Sequence, residues 1–76
     1  MNEMKVTDFS LWFKNERLKR GMTQTEFANF LGTTFATIVN LEKAKTKPRI
    51  KTQKAIVKKL KVNFEFLNNL INIKED

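Results

Sequence analysis

The stretch TQTEFANFLG, residues 23–32, limits what this chain can fold into more than any other segment. Thr23 and Glu26 have the spacing of a capping box, in which the Thr hydroxyl accepts from the Glu backbone N–H and the carboxylate reaches back. Gly32 supplies the residue that tolerates positive φ just past a helix. Between these signals only a short helix fits, residues 24–31, with Phe27, Ala28 and Leu31 inward. The same punctuation recurs along the chain. Asp8 or Thr7 caps a first helix that runs to about Lys19 and ends at Gly21, with Phe9, Trp12, Phe13 and Leu18 on or near one face. Thr34 caps a third helix reaching about Lys43, with Ile38 and Leu41 inward. Pro48 excludes a continuous helix through residues 45–49. A fourth helix, about residues 50–60, directs Ile50, Ile56, Val57 and Leu60 inward. Asn63 caps a fifth, about residues 64–71, docked through Phe64 and Leu67. Strand signals are missing. The expected fold is all-α, a compact five-helix bundle forming one domain over residues 1–76.

What such a bundle can do is narrowed by what it lacks. The 76 residues include no cysteine and no histidine, so neither a disulfide framework nor a thiolate metal site is available, and the commonest general base is missing. Ser10 and the threonines have no imidazole partner, and the carboxylates show no paired arrangement. No catalytic site, metal or cofactor is therefore expected. The core must come from aliphatic side chains with seven Phe and one Trp.

Fifteen Lys/Arg against eight Asp/Glu leave a net charge of +7, which favours a polyanionic partner, nucleic acid first and anionic membrane second. No apolar run approaches the roughly 20 residues of a membrane span. The N-terminal MNEMKVTDFS lacks a signal-peptide apolar region, so a cytoplasmic location is expected. Residues 43–61 carry nine Lys/Arg and no acid. Lys43, Lys45, Lys47 and Arg49 flank the third helix, where phosphates would lie. Lys51, Lys54, Lys58, Lys59 and Lys61 continue onto the fourth. A basic amphipathic helix can also lie on a membrane, but Ile56, Val57 and Leu60 are needed for the core.

Residues 24–43 read as two short helices joined by a glycine-containing turn, the helix-turn-helix unit. Two helices that cross closely need a small residue at the contact, which is Ala28. With Phe27, Leu31, Ile38 and Leu41 inward, the third helix keeps Thr34, Phe35, Ala36, Val39, Asn40 and Lys43 outward. Asn40 is the best base reader among them, since an Asn can bind adenine N6 and N7 together. Phe35 and Ala36 offer only apolar contact, to a thymine methyl, or in the case of Phe35 to a protein partner.

Residues 13–67 resemble the Cro/repressor-type helix-turn-helix domain of temperate phages and bacterial regulators. The resemblance rests on RLKRGMTQTEFANFLGTT, IVNLEKAKTKPR and VNFEFL, in which Gly21-Met22-Thr23-Gln24, Glu26-Phe27-Ala28, Leu31-Gly32 and Leu41-Glu42 keep the family spacing together. It implies a lambda-repressor-like fold with the third helix in the major groove of a double-stranded operator, bound as a homodimer. It implies a structural ion pair between Arg17 and Glu42, and a phosphate contact by Gln24 at the positive end of the second helix. It also implies a regulator in the cytoplasm of a bacterial or phage-infected host cell. Three positions depart from the pattern. Lys43-Ala44 replaces a common Asn-Gly, Lys61 replaces a common glycine before the fifth helix, and Phe35 replaces a polar base reader.

The C-terminal FEFLNNLINI holds more apolar residues than one small helix must bury. Phe66, Leu70, Ile71 and Ile73 either face a partner or add core cover against the first helix. Some small proteins of phage switches act on a partner repressor, as antirepressors or modulators. The apolar Phe35-Ala36-Val39 surface fits that second expectation.

Overall fold

The computed structural model describes residues 7–71, in which five helices and no strand are found: α1 Asp8–Lys19, α2 Gln24–Leu31, α3 Phe35–Glu42, α4 Ile50–Leu60 and α5 Phe64–Ile71. The all-α reading and every expected helix position hold. Side chains write most of the boundaries. Thr7 caps α1, its hydroxyl accepting from Ser10 N at 3.0 Å while Thr7 N donates to Ser10 Oγ at 3.0 Å. Thr23 and Glu26 form the expected box at α2, Thr34 caps α3 through Thr37 N, and Asn63 Oδ1 accepts from Phe66 N at 2.7 Å.

The first three helices end alike. At each, a residue at or just past the cap turns left-handed and two backbone N–H groups fold back onto the last carbonyls, as in the Schellman arrangement. Gly21 does this at φ +67° and Gly32 at φ +75°. At α3 the turning residue is Ala44, φ +59°, with Ala44 N on Leu41 O and Lys45 N on Asn40 O. Lys61 ends α4 at φ +59°. The two departures from the family's glycines thus fall where the backbone is left-handed, which costs an L-residue roughly 1–2 kcal/mol.

The core is Phe9, Phe13, Phe27, Ala28, Leu31, Ile38, Leu41, Ile56, Leu60 and Leu67. α2 packs on α3 and α4, α1 on α3 and α5, and α4 on α5. Rings run through this core in sequence. Phe66 meets Trp12 edge-on at 5.4 Å, Phe9 stacks on Phe13 at 5.2 Å, Phe13 meets Phe27 at 5.1 Å, and Phe27 stacks on Phe30 at 6.2 Å. Lys59 Nζ closes the row 5.5 Å from the Phe30 centroid.

Three expected core residues are exposed: Leu18 at 53 %, Ile50 at 61 % and Phe64 at 42 %. Each lies off the buried stripe of its helix. Ile50 sits about 120° around α4 from Ile56, and Leu18 about 140° around α1 from Phe13. Arg17 takes the inward place at that end of α1. Phe64 lies in the first turn of α5, on the flank of the stripe set by Leu67, while Leu70 and Ile71 further along pack against the core.

Candidate nucleic-acid interface

Ala28, 3 % exposed, lets α2 and α3 meet closely, and Gly32 turns the chain between them. Ile38 and Leu41 fix α3 against the core. That anchoring leaves Phe35, 52 % exposed, and Ala36 in solvent, with Val39 and Asn40 half-buried beside them. The helix therefore brings Phe35, Ala36, Val39 and Asn40 onto one surface, as the spacing predicts. Thr34 is used differently. Its hydroxyl accepts from Thr37 N at 3.1 Å and donates to Thr37 Oγ1 at 3.0 Å, so it is committed to capping. Among the described residues, Asn40 has no side-chain hydrogen-bond partner.

The basic segment between α3 and α4 is held at both ends. Ala44 and Lys45 tie it to α3. At the other end Pro48 is buried and its carbonyl accepts from Gln53 Nε2 at 3.0 Å. Lys43, Lys45, Lys47 and Arg49 stand exposed on this fixed track. Among the described residues no ion pair involves them or Lys51, Lys54, Lys58, Lys59 or Lys61. A cleft of about 440 Å³ lies beside them, lined among others by Thr37, Asn40, Lys47, Arg49, Lys51 and Thr52. The first turn of α4 at its edge receives no side-chain cap. A helix N-terminus so left presents N–H groups and positive dipole to an anion. The sequence pointed to the cations but not to Gln53, which holds their loop. A glutamine one turn inside a helix that follows proline was the available signal.

Arg17 and Glu42 are paired as the resemblance implied. Arg17 Nε is 2.7 Å from Glu42 Oε2 and Nη2 is 3.0 Å from Oε1, while Nη1 donates to Met22 O at 3.0 Å. The Glu42 side chain is only 4 % exposed. Gln24 Nε2 adds a third bond to Oε1 at 3.1 Å, so this glutamine spends one amide N–H inside the protein. The cluster locks the end of α1, the start of α2 and the end of α3 together.

On α5, Phe66 lies against Trp12 and stays 40 % exposed, and Leu70 and Ile71 pack against the core. Leu70 and Ile71 thus add core cover, while Phe66 covers Trp12 of α1 and keeps part of its ring in solvent. Ile73 lies outside the described residues. Among the described residues no group of three or more His, Cys, Asp or Glu could hold a metal, and no helix is long and apolar enough to cross a membrane.

A bundle of short helices with an exposed α3 and a fixed basic loop beside it is a helix-turn-helix domain. The model of the helix-turn-helix family of Cro/repressor type matches residues 13–67, and the chain belongs to that DNA-binding family. No curated protein gives a significant sequence match to the chain.

Proposed function

We propose that the chain is a sequence-specific transcription regulator of phage Cro/repressor type that inserts α3 into the major groove of an operator. One observation carries this reading: α3 exposes an uncharged face on a rigid mount, directly beside a fixed track of cations that form no ion pair among the described residues. Lys43, Lys45, Lys47 and Arg49 contact phosphates, and Asn40, Phe35, Ala36 and Val39 meet the base edges. Gln24 contributes its remaining amide N–H to a phosphate. Thr34 contributes its backbone position and methyl group, since its hydroxyl caps α3. Two copies bind together, because half-sites one helical turn apart, about 34–36 Å, require a paired reader. The test is the salt dependence of binding to the DNA upstream of its own gene. Log affinity is expected to fall linearly with log salt, by roughly 0.9 per phosphate contact. Binding that is flat in salt would overturn the reading.

The exposure of Phe35 supports a second reading, a module that acts on a partner repressor. A large apolar ring left in solvent is a common anchor for a protein partner. If Phe35→Ala abolishes association with a co-encoded repressor and leaves DNA binding unchanged, this second reading holds.

A further inference from the structure

The chemistry of the α3 face restricts the sequence it can read. In the major groove, guanine is recognised by paired donors from Arg or Lys, and the cytosine amino group by a carboxylate. The surface formed by Phe35, Ala36, Thr37, Val39 and Asn40 has neither. Lys43 stands at the C-cap, at the far end from the N-terminal residues that approach base edges in a docked recognition helix. Two hydroxyls lie at the approaching end, and Thr34 Oγ1 accepts from Thr37 N and donates to Thr37 Oγ1, so neither offers the paired donors that guanine takes. Asn40 alone presents a free amide, an acceptor and a donor side by side, which is the complement of adenine N6 and N7. Three apolar side chains remain. Against either pair they strip water from three polar edge groups, N7, O6 and N4 of G·C or N7, N6 and O4 of A·T, and give no hydrogen bond in return. Against A·T pairs they meet a matching apolar group, the thymine methyl.

Resting on the DNA-binding reading, we propose that the half-site under α3 consists of A·T pairs. Thymine methyl groups facing Phe35, Ala36 and Val39 are its main determinants, with one adenine bound by Asn40. Specificity arises from contact with the methyls and from the single adenine pairing, since the polar edge groups of A·T and G·C pairs are desolvated alike.

The experiment uses the full chain and duplexes selected from a randomised pool. Selected half-sites are expected to contain runs of A·T. Replacing each selected thymine with uracil removes only the methyl, and is expected to weaken binding about fourfold at the positions under Phe35. Phe35→Ala, at an exposed position whose loss leaves the core intact, is expected to make binding insensitive to that replacement. Replacing the contacted adenine with 7-deazaadenine removes N7, and is expected to weaken binding of the unchanged chain but not of Asn40→Ala. Selection of fixed G·C pairs in the half-site, or indifference to uracil with the unchanged chain, overturns this proposal while leaving a DNA-binding regulator in place. Failure to bind any duplex in a salt-dependent way overturns the DNA-binding reading itself, and this proposal with it.

Discussion

Glu42 is the residue on which the arrangement of the three N-terminal helices turns. Its carboxylate is almost fully covered and receives three hydrogen bonds, two from Arg17 and one from Gln24. Removing one partner from such a group leaves polar surface buried without compensation. Arg17→Met is therefore expected to lower unfolding stability by roughly 3–5 kcal/mol. The double variant Arg17→Met, Glu42→Leu is expected to recover most of that loss, because an apolar replacement of both partners leaves nothing unpaired. Denaturant unfolding of the three proteins checks both statements, and a single-variant loss below about 1 kcal/mol would mark the pair as an ordinary surface bridge. Ala44 and Lys61 run the other way. Both hold a left-handed φ of +59° without being glycine. Ala44→Gly and Lys61→Gly are each expected to stabilise by roughly 0.5–1 kcal/mol, the relief at positive φ exceeding the added freedom of the unfolded chain. Unfolding midpoints that fall instead would show that each side chain makes contacts worth more than the strain.

At the scale of the helix, caps were the legible part of the sequence. Thr23, Glu26, Gly32 and Thr34 act locally, through groups within a few residues, so their pattern alone places α2 and α3. Inward direction was less legible. Leu18, Ile50 and Phe64 are apolar and sit in the right helices, but which side of a helix is covered depends on neighbours distant in sequence. For α1 that neighbour is Glu42, which draws Arg17 inward and turns Leu18 out. The Ser10 hydroxyl, which completes the α1 cap, gives no cap signal in the sequence, because the usual partner at that position is Glu or Gln. A pH effect belongs to this scale as well, because Glu16 joins two positions of α1. Burial pushes its carboxyl up, but hydrogen bonds from Arg20 and Lys19 and their charges outweigh it, so the pKa lies below the ordinary 4.5. A carboxyl whose folded pKa is depressed adds stability above its unfolded pKa and loses it as pH falls through the folded value. Thermal midpoints are expected to begin dropping below about pH 4.5, and Glu16→Gln to lose part of that dependence. A Glu16→Gln profile superimposable on the unchanged chain would show that these contacts do not matter.

For the molecule as a whole, phosphate and base contacts make different predictions. Asn40→Ala is expected to weaken binding at the specific site by roughly 1–3 kcal/mol and to change random-sequence binding little. Lys45→Ala is expected to weaken both about equally, since a phosphate carries no sequence information. Titrations on specific and random duplexes separate the two. The outward set on α3 was readable because period and turn fix that face, and the cations because they are consecutive in sequence. The engagement of Gln24 within the protein was not readable, since its hydrogen bond to Glu42 depends on where a neighbour distant in sequence comes to rest. Trp12 is the only tryptophan of the chain, and its ring meets Phe66 across the α1–α5 contact. Its emission is a built-in optical probe of α5 docking. A red shift below the global unfolding midpoint would report α5 peeling from α1. Constant emission through a DNA titration would establish that the bundle accepts its ligand without internal rearrangement.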